Sequence, residues 1–300
     1  MADFTLCNLC PRPGHLRNSV EVKQIDSIVR KFHSEKFTVW RCRLCGSLHS
    51  KEEIDSANYY HYYPFKEQKL DPWTWVAYGN RLRRLIREGV NQEHEILDYG
   101  CGSGLFVSFL HKKGYKKAVG YDPYVRDFAD EKILGKTYET IVAQDVIEHV
   151  DDPRTFLMLL SQRLRPGGIL CIGTPNAQCI DLFQPEKFAL PLHQPYHRHV
   201  LSEDTLVRLG LDLGLRVGKI YHRYYFDTLF PLANSRFLQS YVRRAGNVID
   251  AAFEKPKISM ILTSPRLLFY ALFGYFFPPK TEAMVFFRQE NSRATKTLKI

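Results

Sequence analysis

From residue 94 onward the apolar positions fall into two alternating patterns. Short continuous runs, "HEILDYG" (94–100), "KAVGYDP" (117–123), "TIVAQDV" (140–146) and "GILCIGTP" (168–175), read as strands buried on both faces. Between them "SGLFVSFLHKKG" (103–114) spaces its apolar residues as a helix and stops at Gly114. "DDPRTFLMLLSQRLRPGG" (151–168) starts a helix with Asp152 as cap and Pro153 following, and "LSEDTLVRLGLDLG" (201–214) starts one on Ser202. "LRVGKIYHRYY" (215–225) and "TEAMVFFRQ" (281–289) add two strands. This rhythm predicts an α/β fold, Rossmann-like, with a mainly parallel sheet covered on both faces.

Upstream the pattern changes. "SVEVKQIDSIVRKFHSEKFTVWRC" (19–42) alternates Val, Ile and Phe with polar residues, so residues 1–50 read as short strands. Residues 51–92 read as a polar, tyrosine-rich linker followed by a helix packed on the core. That helix begins with Asp71 as cap and Pro72, and ends near Gly89. Residues 93–300 form the α/β domain. Within it, residues 225–280 are too long for a loop and rich in Phe, Leu and Tyr, which predicts an inserted helical cap before the last strand.

Composition narrows the partners. A hydrophobic content of 45% with 25% charged residues excludes a disordered chain, and no apolar run approaches the ~20 residues that span a bilayer. The net charge of +10 points to an anionic partner: nucleic acid, a phosphate-bearing substrate or an anionic membrane surface. The N-terminus carries no signal-peptide pattern, so the expected location is cytoplasmic.

In a reducing compartment paired CxxC units read as metal ligands. Cys7 and Cys10 form one such pair, and Cys42 and Cys45 a second. Two knuckles joined by strands predict a four-cysteine zinc ribbon, because a unit of about 50 residues needs a metal to fold. His15, His33 and His49 are alternative ligands, but four thiolates already close the site. Cys171 and Cys179 read as packing residues.

"EILDYGCGSG" (95–104) has Asp98 at a strand end, then glycines at every second position. The dinucleotide pattern G-x-G-x-x-G fails, because its third glycine would fall on Leu105 or Val107. A P-loop fails for want of the Lys-Ser/Thr pair. A carboxylate beside the turn repels a pyrophosphate and favours a cation. S-adenosylmethionine (SAM) carries an ammonium and a sulfonium, so Asp98 suits it. Asp122, 24 residues later at the next strand end, can accept both ribose hydroxyls.

"EILDYGCGSG", "VGYDP", "IVAQDVIEHVDDP" and "LRPGGILCIGTPN", in that order, resemble the class I SAM-dependent methyltransferases. The resemblance covers residues 94–223 and 281–290, and implies a seven-stranded sheet. With the ribbon and "YYHYYPF" it points to the branch near the sugar C-methyltransferases and the ubiquinone-biosynthesis O-methyltransferases. It implies that Gly100, Cys101, Gly102 and Gly104 line the cofactor, with Asp98 at its methionine end. Asp122 then holds the ribose, and Gln144 lies beside the site. One departure is that "RDFADEKILGKTYE" (126–139) leaves little room for the usual third strand, so the adenine-contacting residue is unassigned.

Methyl transfer needs positioning and, for a hydroxyl or carbon acid, a base. His149, directly after the fourth strand, is the first candidate base. By the ubiquinone-type resemblance Asp145, Glu148 and His149 also match a divalent-cation stretch. By the sugar-methyltransferase resemblance Tyr196, His197 and His199 match residues near the substrate. Structural roles compete with each assignment. "RLLFYALFGYFFPPK" (266–280) could pack on the domain, lie over the site as a lid, or meet a membrane interface peripherally. The expected activity is methyl transfer to oxygen or carbon of a small-molecule or lipid-linked acceptor, sugars and glycans included. The competing readings are an RNA methyltransferase, disfavoured by scattered basic residues, and a non-catalytic SAM-binding scaffold.

Overall fold

The computed structural model describes residues 4–12, 14–62 and 69–290. The C-terminal part of the expected tyrosine-rich linker and residues 291–300 lie outside the described residues.

Three antiparallel strands, β1 (Glu21–Asp26), β2 (Lys36–Arg41) and β3 (Leu48–Ser50), form the N-terminal ribbon. Helix α1 (Ser56–His61) is capped by the Asp55 carboxylate, which accepts from Asn58 N–H. Helix α2 (Pro72–Arg87) starts as expected, with Asp71 accepting from Thr74 N–H at 2.7 Å.

The core then alternates β4 (Ile96–Tyr99), α3 (Leu105–Lys112), β5 (Ala118–Tyr121), β6 (Tyr138–Gln144), α4 (Pro153–Ser161) and β7 (Leu164–Pro175). It continues with α5 (Ala189–Leu192), β8 (His199–Val200), α6 (Glu203–Asp212) and β9 (Leu215–Tyr221). The cap holds α7 (Ser235–Arg244), α8 (Ile258–Leu262) and α9 (Pro265–Phe273), and β10 (Glu282–Gln289) follows it.

The main sheet runs β5-β4-β6-β7-β10-β9, with the first four strands parallel and β10 antiparallel to both neighbours. It has six strands, and this corrects the expectation of seven. Only residues 122–137 join β5 to β6, and they form short helical turns at Arg126–Phe128 and Glu131–Gly135. A further parallel strand needs a crossover of a dozen or more residues on each side, which this stretch cannot supply.

Successive residues of the central strands feed opposite layers. Leu97, Ile141, Ala143, Leu170 and Ile172 pack in one cluster, and Ile96, Val142, Ile169 and Cys171 in the other. Cys171 is thus a core residue, as its strand position suggested. The first cluster also contains Cys7, Leu9, Trp40 and Cys42 of the ribbon. The ribbon sheet itself is completed by β8 from the core, in the order β1-β2-β3-β8. The boundary at residue 50 therefore separates two stretches of chain that share one sheet and one core.

Candidate functional site

The site lies at the carboxyl ends of the parallel strands, where an α/β sheet opens a crevice. Asp98, near the end of β4, is 4% exposed, and the chain then turns through Gly100, Gly102 and Gly104 at φ 75°, 53° and 72°. These are left-handed conformations that a side chain adopts at a cost of about 1–2 kcal/mol each. A methyl group on Gly104 would run into the Phe128 ring, whereas one on Gly102 meets nothing within 4 Å. The turn is tight behind Gly104 and open at Gly102, so a ligand can reach the backbone there. The Gly102 N–H donates to Asp122 Oδ2 (3.0 Å) and Tyr124 N–H to Asp122 Oδ1 (2.9 Å). This fixes the second carboxylate beside the loop. Cys101 sits behind it, its Sγ against the bare Cα face of Gly120.

Two carboxylates and one buried cation set the electrostatics. Burial pushes the Asp98 carboxyl up to about 7, opposed by the charge of Arg81. Asp145, just after β6, takes φ 57°, and its carboxyl is raised by desolvation, opposed by the charge of Arg81. Arg81, from α2, is 5% exposed and lies over the rings of Tyr225 (4.0 Å) and Phe106 (4.7 Å). Its Nε has no hydrogen-bond partner among the described residues. A buried guanidinium left so is costly, and an anionic ligand group would satisfy it. The sequence reading did not single out Arg81, because a helix arginine gives no local signal.

Gln144 is spent inside the sheet. Its Nε2 donates to Asp145 Oδ1 (3.1 Å) and Glu282 Oε1 (3.2 Å). Its amide fills the space left by the missing side chain of Gly173.

A second group of side chains gathers after β6. Glu148 Oε2 accepts from Thr174 Oγ1 (2.9 Å), and Oε1 has no hydrogen-bond partner among the described residues. His197 Nδ1 donates to the Pro191 carbonyl (2.9 Å), which turns its Nε2 toward Glu148 Oε1 at 3.9 Å. His149 Nδ1 donates to the Tyr196 carbonyl (3.1 Å), leaving Nε2 as the basic nitrogen. Burial drives His149 down to about 4 and lowers His197, so both rings are neutral near pH 7. One ligand atom from each of Glu148, His149 and His197 lies within 4.8 Å of the others. Two imidazoles and a carboxylate suit a divalent transition metal. This departs from the expected set Asp145, Glu148 and His149. Asp145 is held by Gln144 instead, and His197 stands in its place.

Tyr60 of α1 reaches over this region. It stacks on Tyr124 beside Asp122 (5.9 Å between centroids) and its hydroxyl lies 3.1 Å from His149 Nδ1. Tyr196 O–H donates to the Tyr59 carbonyl (2.9 Å), so this tyrosine anchors α1. His199 belongs to the ribbon junction: its Nε2 donates to the Asp151 carbonyl (3.2 Å) and its Nδ1 lies 3.1 Å from His49 Nδ1. His149 and His197 thus stand together at the site, while Tyr196 and His199 are engaged in holding elements around it.

The four ribbon thiols form a separate centre. Cys7 Sγ lies 3.7 Å from both Cys10 and Cys45, and Cys10 lies 3.8 Å from Cys42. A tetrahedron with metal–sulfur bonds of about 2.3 Å has edges of about 3.8 Å, so the cluster fits a tetrathiolate metal ion. Gly14 is pressed against it: a methyl there would run into Cys42 Sγ.

A family model described as a methyltransferase domain matches residues 75–220. Over that stretch, a little under half of the chain, the sequence is similar to methyltransferase domains. The human mitochondrial ubiquinone biosynthesis O-methyltransferase is 28% identical, with 43% of this chain and 44% of that protein covered. The ubiquinone biosynthesis O-methyltransferase of Rhizobium rhizogenes is 29% identical, covering 42% of this chain and 63% of its own length. The alignments thus span about two fifths to three fifths of these relatives. A SAM-dependent methyltransferase structure from Archaeoglobus fulgidus covers 75% of this chain and 98% of its own, at 20% identity and TM-score 0.43.

Proposed function

We propose that the chain transfers the methyl group of SAM to a hydroxyl of a small-molecule or lipid-linked acceptor. The observation that carries this reading is the group of side chains at the carboxyl ends of the parallel strands. It pairs a cation-favouring Asp98 and a ribose-ready Asp122 with the guanidinium of Arg81, whose Nε is unpartnered among the described residues. SAM presents an ammonium, two ribose hydroxyls and a carboxylate, one for each. The similar ubiquinone biosynthesis O-methyltransferases methylate oxygen, which favours an oxygen acceptor here.

When bound, SAM supplies a methyl group already activated by the sulfonium. The protein's task is alignment and proton removal. Asp98 favours the ammonium, Asp122 accepts from the ribose, and Arg81 takes the carboxylate. His149 Nε2 is the base for the acceptor hydroxyl, held in its tautomer by the Tyr196 carbonyl. Burial pushes the Glu148 carboxyl well above its ordinary value, which works against its charged form. Where Glu148, His149 and His197 instead hold a divalent cation, it would lower the hydroxyl's pKa. Zinc is our assignment for the four-thiol centre, and a reducing, cytoplasmic compartment keeps those thiols available to it.

The test uses purified protein, methyl-labelled SAM and a cell extract split into lipid, RNA, protein and water-soluble fractions. Label in the lipid or soluble small-molecule fraction supports the reading. Label in RNA replaces it with the nucleic-acid alternative. With an acceptor in hand, His149→Ala should lower kcat by about 100-fold or more with little change in the binding of SAM.

A further inference from the structure

The cap wears its helix inside out. α9 turns Leu267 and Ala271 inward, whereas Leu268, Phe269, Leu272 and Phe273 face outward at 40–49% exposure. Phe276 and Phe277, just beyond the helix, continue the face at 63% and 49%. Phe269 lies 5.4 Å from Phe273 and 5.5 Å from Phe277, so the rings form one patch. The loop bearing exposed Leu229 and Phe230 is tied to it through the Leu232 N–H, which donates to the Ala271 carbonyl (2.8 Å). A helix at the surface of a water-soluble domain shows the opposite pattern. A contiguous apolar patch of this kind marks an interaction surface.

Charge says what the surface meets. The cap, residues 225–280, contains seven Lys and Arg against three acids: Asp227, which is buried, and nearer the surface Asp250 and Glu254. The last two face Arg30: Asp250 accepts its N–H (3.0 Å) and Glu254 pairs with its guanidinium (2.5 Å). At the root of α9 a cavity of 190 Å³ is lined by Arg243, Arg244 and Arg266 with Ser240 and Ser264. A neighbouring cavity of 110 Å³ shares Arg243 and Arg266 and adds Arg236 and Lys187. Arg236 is pushed below arginine's ordinary value, by burial first and then in part by Arg266 and Arg243. Positive charge is gathered here around space of a size for anions.

We propose that this face of the cap docks on an anionic phospholipid bilayer. The α9 rings enter the headgroup–acyl boundary and the arginine cavities hold headgroup phosphates. A second copy fits poorly, since a two-fold contact through this face would bring like-charged rims together. The contact is peripheral: among the described residues no helix is long and apolar enough to cross a membrane. The proposal goes beyond the methyl transfer reaction and does not depend on it.

The test is sedimentation of the full chain, without SAM or acceptor, with phosphatidylcholine vesicles and with vesicles that also contain phosphatidylglycerol. We expect binding at least about tenfold stronger to the anionic vesicles. Each basic residue near an anionic surface is worth about fivefold, so Arg243→Ala with Arg266→Ala should weaken binding roughly 25-fold. Phe273→Ser with Phe276→Ser should abolish it while leaving the melting temperature and SAM binding unchanged. The proposal is overturned by equal binding to both vesicles or by variants that bind like the parent. It is also overturned if inorganic phosphate or RNA displaces the chain at physiological salt, or if the Phe variants convert a dimer to a monomer.

Discussion

The ribbon and the cap are both additions to the same α/β core, and they meet it in opposite ways. The ribbon gives its apolar side chains to the core: Trp40 and Leu9 are fully buried in the cluster that holds Leu170 and Leu206. Several of its polar groups are matched there as well. Arg41 donates to the Ala177 carbonyl (3.0 Å), Ser202 Oγ to the Cys45 carbonyl (2.7 Å), and β3 pairs with β8. The cap keeps a modest inner cluster around Phe237, Tyr241 and Leu267 and turns a larger apolar face outward. Burial identifies what an element does for the fold. Apolar surface left outside, beside unmatched positive charge, identifies what it does for a partner.

The comparison breaks most visibly at the thiols. Cys42→Ser, or strong chelation, should unfold the core along with the ribbon, because Cys42 packs in the core cluster. The expected loss is more than about 5 kcal/mol, enough to remove cooperative melting. A ribbon that came undone alone, with the core transition intact, would separate the two units. The equivalent insult to the cap, serine at Phe273 and Phe276, should leave melting unchanged.

Within the crevice, Gly104→Ala should weaken SAM binding by about 30- to 150-fold. The new methyl meets Phe128 and the backbone is left-handed, which together cost about 2–3 kcal/mol. Arg81→Met should cost about tenfold or more in SAM affinity by removing a charge-assisted contact, and should also raise the Asp98 carboxyl further, since Arg81 is the cation that opposes its burial. Both are read by calorimetric titration.

The smallest effect is that of pH. Asp98 titrates near 7 without ligand, and an ammonium beside it favours the ionised form, so its pKa falls on binding. Affinity for SAM should therefore be full above pH 7 and decline by up to about tenfold per unit as pH falls below it. Asp98→Asn should flatten that profile.

Much of this was legible in the chain because it is local. The strands around Asp98, Asp122 and Gln144, the caps Asp71, Asp152 and Ser202, and the paired cysteines all carry their signal within a few residues. What escaped depends on contacts across the fold. Arg81 becomes unusual only when α2 packs it over Tyr225, 144 positions away. His197 joins Glu148 and His149 through its hold on the Pro191 carbonyl, a contact that no local pattern announces. The helix α1 hides in a tyrosine-rich stretch whose anchor is Tyr196. The outward face of α9 has the same composition as a buried helix, and only its packing partners decide which it is. The missing third strand left a local sign, a shortage of residues at 126–139, yet the expectation of seven strands stood until the fold overturned it.

The most direct measurement is a calorimetric titration of SAM into the metal-loaded, folded chain. The account predicts saturable binding of one SAM per chain, weakened at least about tenfold in Arg81→Met. Absence of binding by a protein that melts cooperatively would contradict it.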